Sequence, residues 1–238
     1  MVLMYHDVYI DKPEESGFNS KGANCYKMDI KLFKKHLQFI KNNAPETILT
    51  FDDGGVSFYT LIAPALEEYG LIGHFYIATD YIGNNGFMNE YQISELHRRG
   101  HIIGAHSSSH PSKMTSLPVE VRRMEWEKSI FTLSRIIGTK IKEVSIPNGF
   151  YQKEDLDILF EVGINTIYTS SLIDKRNVGD LHICGRIALM KDSDIRKLKN
   201  YLINPIYYSA VLTKQVILQL IKKILGDKYI EIKKKIRK

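Results

Sequence analysis

No apolar run in the 238 residues approaches the roughly 18 that a membrane-spanning helix requires, so the sequence offers no such helix. Cysteine is scarce. Cys25 and Cys184 alone cannot build a disulfide framework, and they say little about redox compartment. Internal repeats and low-complexity linkers are missing, which excludes solenoid, collagen-like and disordered chains. The chain opens directly on strand-like residues, Met1 to His6, with no charged leader or cleavage site before them. Either the chain has been trimmed or the protein stays inside, and the expected location is cytoplasmic. What remains is ordinary globular composition, 44% hydrophobic and 25% charged, with enough length to bury the core of one large domain.

A basic stripe across a folded face is also absent. Between Lys222 and Lys238 stand Lys222, Lys223, Lys228, Lys233, Lys234, Lys235, Arg237 and Lys238, opposed only by Asp227 and Glu231. This tail carries the whole of the chain's formal charge of +6, so the residues before it are neutral overall. A nucleic-acid groove would need its positive charge distributed over the domain, and nucleic acid is therefore not an expected partner. An anionic membrane surface, touched peripherally at the inner face, suits such a tail better.

Short apolar runs alternate with helix-length segments along most of the chain. Val2–His6, Thr47–Phe51, Ile72–Ala78, Ile102–Ala105, Val144–Ile146 and Thr166–Tyr168 read as strands. Residues 29–42, 57–69, 94–99, 118–137 and 153–161 read as helices, with Gly70, Gly100 and Gly138 as C-caps. That alternation predicts an α/β fold around a parallel sheet or barrel. One domain is expected over residues 1–200. Residues 201–238 are expected to form an amphipathic helix and the basic tail, because Val216, Ile217, Leu220, Ile221, Ile224 and Leu225 recur with helical spacing.

Chemistry concentrates at two strand ends. Thr50-Phe51-Asp52-Asp53-Gly54 places adjacent carboxylates where an apolar strand stops, the position at which α/β folds hold ligands. One carboxylate can hold a metal while its neighbour takes a proton, although Asp-Asp-Gly alone is also a common solvated turn. His106-Ser107-Ser108-Ser109-His110 follows a second strand end, and two imidazoles four residues apart suit one ion. Asp53, His106 and His110 together would supply three protein ligands and leave a position open.

TFDDG followed by HSSSH resembles the polysaccharide deacetylases, carbohydrate esterase family 4 with its NodB-type domain. The likeness extends over about Val2 to Leu189. It implies a distorted (β/α) barrel with fewer than eight parallel strands and metal-dependent removal of an acetyl group from an N-acetylhexosamine. By this resemblance Asp53, His106 and His110 bind one divalent ion and Asp52 is the general base. Zinc is the first expectation for the ion; cobalt, nickel, iron and manganese also suit the donor set.

The family's third motif, R-x-P-x-G, is altered. Ser145-Ile146-Pro147-Asn148-Gly149 keeps proline and glycine but has serine in place of the arginine that orients the base. The L-x-H motif that supplies the acid is not evident either. In these departures the chain is similar to the poly-N-acetylglucosamine deacetylases of exopolysaccharide systems, which carry a Tyr-His pair on an early strand. Tyr5-His6 matches that pattern, and His6 is the expected general acid, its ordinary pKa near 6.5 suiting the task.

Pro147, Asn148, Gly149 and Tyr151 are the expected substrate-binding residues, with the Asn148 N–H as an oxyanion donor by resemblance. Phe150 and Trp126 are candidate sugar-stacking rings that packing would equally explain. Arg186, just before Ile187-Ala188-Leu189, is within possible reach of the site. The expected activity is N-deacetylation of an acetylated amino-sugar glycan that is polymeric, oligomeric or lipid-linked. A catalytically silent glycan-binding module and a small-molecule amidohydrolase are the alternatives.

Overall fold

The computed structural model describes residues 1–225. In chain order the regular elements begin with β1 Val2–Tyr5, β2 Val8–Tyr9, β3 Met28–Asp29, α1 Ile30–Asn43, β4 Ile48–Phe51 and α2 Ala63–Glu68. Next come β5 Gly73–Ile77, α3 Glu90–Arg98, β6 Ile102–Ala105, α4 Val119–Ile137, β7 Glu143–Ser145 and α5 Lys153–Glu161. The chain continues through β8 Thr166–Thr169, β9 Lys175–Val178, β10 Leu181–Gly185, β11 Ile187–Ala188, α6 Ile195–Ile203 and α7 Pro205–Leu225.

Local chemistry explains the boundaries. The Asp29 carboxylate accepts from the N–H groups of Lys31 and Leu32 and so starts α1, while Phe33, Leu37 and Ile40 turn one face into the core. Asn89 and Gln92 form a reciprocal capping box at the head of α3. Gly138, at φ 72°, ends α4 in the left-handed conformation that glycine adopts most cheaply.

The main sheet runs in the order β11-β1-β4-β5-β6-β7-β8-β10-β9, parallel throughout except for the hairpin partner β9. β10 and β11 are two halves of one extended segment interrupted at Arg186. The first half pairs with β8 and the second with β1, which lies at the other end of the sheet. One segment thus bridges both sides of the curled sheet, giving seven parallel strands and a distorted (β/α) barrel, as the sequence predicts. Phe33, Phe51, Phe58 and Phe75 form an aromatic cluster between sheet and helices, with ring centroids 5.1–6.0 Å apart. Residues 226–238, most of the basic tail, lie outside the described residues.

Candidate active site

At the C-terminal ends of β4 and β6 the chain leaves the sheet and brings the two motifs together. Asp53 Oδ1 lies 3.4 Å from Nε2 of both His106 and His110. The three donor atoms fall within 4.8 Å of one another. Three ligands at about 2.0–2.2 Å from a shared ion need separations of this size. His106 is prepared for the task. Its Nδ1 lies 2.8 Å from the Ser145 carbonyl oxygen, which can only accept, so Nδ1 carries a proton and Nε2 is the nitrogen turned toward Asp53, the one that would meet an ion. The donor set, one carboxylate and two imidazoles, therefore fits a divalent ion.

The loop carrying His110 is clamped from below. Glu125 on α4 accepts from the N–H groups of Ser108 and Ser109, at 3.0 and 2.8 Å, and from Ser109 Oγ at 2.7 Å. The His110 N–H donates to Ser107 Oγ, folding His110 back until its ring centroid is 4.9 Å from that of His106. Among the described residues, the non-glycine positions with positive φ are Asp53, Ser107, His110 and Asn148, and every one belongs to this site. Backbone strain of that kind persists only where surrounding contacts hold it in place.

Asp52 is buried beside Asp53 and faces the barrel axis. Arg186 Nη1 and Nη2 donate to its two carboxylate oxygens, each at 2.7 Å. Nη2 also donates to Ser145 Oγ at 2.8 Å, and Ser145 Oγ donates to Asp52 Oδ2 at 3.0 Å. Burial pushes the Asp52 pKa up, but the Arg186 charge and hydrogen bonds outweigh it, so the carboxyl is held below its ordinary range. For Asp53 burial is likewise overcome, by hydrogen bonds from His106 and His110, leaving it well below that range. Both carboxyls are ionised at neutral pH.

The guanidinium of Arg186 is itself held between two rings, 5.9 Å from the centroids of Tyr76 and Tyr168. Gly104 makes room for Tyr76, since a Cβ there would come within 2.4 Å of the tyrosine ring.

A cavity of about 670 Å³ opens over these groups, a size suited to a sugar residue. His6, Asp52, Asp53, His106, His110 and Asn148 all line it. The His6 ring packs 4.8 Å from Tyr26, and its Nδ1 is buried with no hydrogen-bond partner among the described residues.

The outer wall is an irregular segment that contributes Phe18, Asn19, Ser20, Gly22, Ala23 and Tyr26. Two buried polar side chains, Lys27 and Asp7, fix it. Lys27 Nζ donates to the carbonyls of Pro13 and Ser16 and to Asn19 Oδ1, at 2.6–2.8 Å. Asp7 accepts from Ser16 Oγ at 2.5 Å and Ser57 Oγ at 2.7 Å, and Gly55 leaves the space that its carboxylate occupies.

The remaining expected residues are placed differently. Pro147 is buried, while Gly149 and Tyr151 line an adjoining depression of about 330 Å³ together with Phe150 and Asp174. The Tyr151 hydroxyl donates to Asp174 Oδ2 at 3.3 Å and accepts from Arg176 Nη2 at 2.9 Å. Trp126, a residue of α4, is fully buried and cannot stack on a sugar.

Sequence reasoning missed the wall residues Phe18 and Tyr26 and the clamp Glu125. It named Arg186 without assigning it a partner. The available signal for Arg186 was a lone charge inside the apolar run from Leu181 to Leu189.

Residues 40–167, more than half of the chain, match the polysaccharide deacetylase family. The chain belongs to that family. Family members hydrolyse amide bonds and act on acetylated glycans. The chain is similar to YxkH of Bacillus subtilis (strain 168), with 21% identity over 190 residues covering 69% of this chain. It spans 63% of the length of that relative.

Among solved structures it is similar to the deacetylase PplD of Streptococcus pyogenes in complex with acetate, with a TM-score of 0.68 and 21% identity. That match covers 84% of this chain and 96% of the other. It is also similar to IcaB from Ammonifex degensii, with a TM-score of 0.64 and 20% identity over 81% of this chain and 92% of that one. These likenesses establish a shared deacetylase fold.

Proposed function

We propose that the protein is a metal-dependent N-deacetylase that removes the acetyl group from an N-acetylhexosamine of an oligomeric, polymeric or lipid-linked glycan. One observation carries this reading: an ionised carboxylate, Asp52, stands beside a three-ligand cluster of Asp53, His106 and His110 on the floor of a sugar-sized cavity. The similarity to PplD in complex with acetate and to IcaB supports it.

Asp53, His106 and His110 would hold the ion, for which zinc is the first choice. A bound divalent ion polarises the amide carbonyl and makes water a better nucleophile at neutral pH. Asp52 takes the proton of the attacking water. Arg186 keeps Asp52 ionised and fixes the plane of its carboxylate, so the same oxygen faces the cavity at each turnover. The Asn148 N–H supports the negative charge that develops on the carbonyl oxygen. His6 gives a proton to the departing nitrogen, and the products are acetate and a free amine.

Serine in place of the third motif's arginine would fit a silent binding module. Arg186 supplies the same group from the strand that joins the sheet's ends, with Ser145 as the small neighbour that leaves it room. Acetate release from N-acetylglucosamine oligomers, compared with non-sugar amides, tests the proposal on wild type and Asp52→Asn. Release by wild type alone supports it. Sugar binding without acetate release would favour the silent module, and turnover restricted to non-sugar amides the amidohydrolase.

A further inference from the structure

α7 is 21 residues long, about 32 Å at a rise of 1.5 Å per residue, and among its described side chains those that pack on the domain lie near its start. Tyr208 packs against the core, and Val211 and Leu212 are half-buried. From Thr213 to Leu220 every residue whose side chain is described is exposed. Three of them are large and apolar: Val216 at 43%, Ile217 at 50% and Leu220 at 54% exposure. The sequence continues in the same helical phase with Ile221, Ile224 and Leu225, and then enters the segment that holds all of the chain's net charge of +6.

We infer that the exposed face of α7 at Val216, Ile217 and Leu220, followed in the sequence by the segment of net charge +6, docks on an anionic lipid surface. Apolar side chains without cover need a nonpolar phase, and the adjoining lysines need anions. A bilayer with acidic headgroups supplies both within a few ångströms, which is how interfacial helices bind. A nucleic acid would engage the lysines but leave Val216, Ile217 and Leu220 in water. A second copy of the chain would cover the apolar residues but set one +6 segment beside another. No helix among the described residues is long and apolar enough to cross a membrane, so α7 would lie on the surface. This inference is independent of the proposed catalytic activity.

The test is sedimentation of the full chain with vesicles of phosphatidylcholine and phosphatidylglycerol at 3:1, against vesicles of phosphatidylcholine alone. Two variants are compared: Val216→Ser/Ile217→Ser/Leu220→Ser, and Lys233→Gln/Lys234→Gln/Lys235→Gln. The expected result is binding to the mixed vesicles that weakens about tenfold or more in each variant and at high salt, with unchanged thermal midpoints. Wild-type binding by the serine variant would overturn the inference, because the lysines would then act alone on any polyanion. So would absence of binding to either vesicle. A dimer in light scattering that the serine substitutions dissociate would instead make this face an interface between copies.

Discussion

Arg186 meets Asp52 edge to edge, with Nη1 and Nη2 each 2.7 Å from a different carboxylate oxygen and both residues buried. Such a bidentate pair fixes the plane of the acid as well as its charge, which a lysine cannot do. Arg186→Lys is expected to lower kcat by about 10²-fold with metal content unchanged, measured by acetate release and metal analysis on the same sample. Arg186→Ala leaves a buried carboxylate unpaired and should cost about 3–5 kcal/mol of stability in urea unfolding.

Ser145 provides the converse test. Its side chain is buried between Asp52 and Arg186. Ser145→Ala should cost about 1 kcal/mol, one hydrogen-bonded hydroxyl. Ser145→Arg restores the letter of the family motif but crowds a second guanidinium against Arg186. It is expected to be unfolded or inactive, and a well-folded, faster enzyme would refute the role given to Arg186.

Metal binding separates a ligand, His110, from the base, Asp52. His110→Ala should lose the ion, whereas Asp52→Asn should retain about one ion per chain and lose turnover. Metal analysis after dialysis and readdition of zinc distinguishes them. A wild type with no bound ion would remove the basis of the proposed chemistry.

Glu125 is not among the residues that line the cavity, yet it holds the backbone of Ser108 and Ser109 between the two histidines. Glu125→Ala is expected to weaken metal affinity by about 10–100-fold, the usual effect of releasing a ligand's support. Competition with a chelator measures it.

His36 lies under the barrel wall with Nδ1 3.2 Å from the Tyr5 hydroxyl, and burial pulls its pKa down to about 4. The unfolded chain, near 6.5, therefore binds a proton that the folded chain refuses between these values. Stability falls as pH drops through that window, by about 2 kcal/mol at pH 5. His36→Gln should flatten this part of the pH profile in urea unfolding. An unchanged slope would place the titration elsewhere.

Most of the barrel was legible because its strands end in charged motifs and its helices carry caps; α1, α4 and α5 lie within a residue or two of the predicted positions. The hairpin of β9 with β10 was not legible. β9, with Lys175, Arg176 and Asn177 exposed, has none of the apolar alternation that marks a strand. The metal-ligand pattern could be read because it comes in two compact motifs, TFDDG and HSSSH. The partner of Asp52 could not, because Arg186 is 134 positions away and reaches it only through closure of the sheet. Phe18 and Tyr26 sit in an aperiodic stretch whose order comes from Lys27 and Asp7, and no local signal announces that.

The same stretch divides the molecule by task. The catalytic floor grows from strand ends locked into the sheet, while the wall from Phe18 to Tyr26 is attached by side-chain anchors to Lys27 and Asp7. Its outward-facing letters can be rewritten without disturbing a single ladder bond of the barrel. Under the proposed function, selectivity for one acetylated sugar over another can thus drift in that wall while the floor beneath it stays the same.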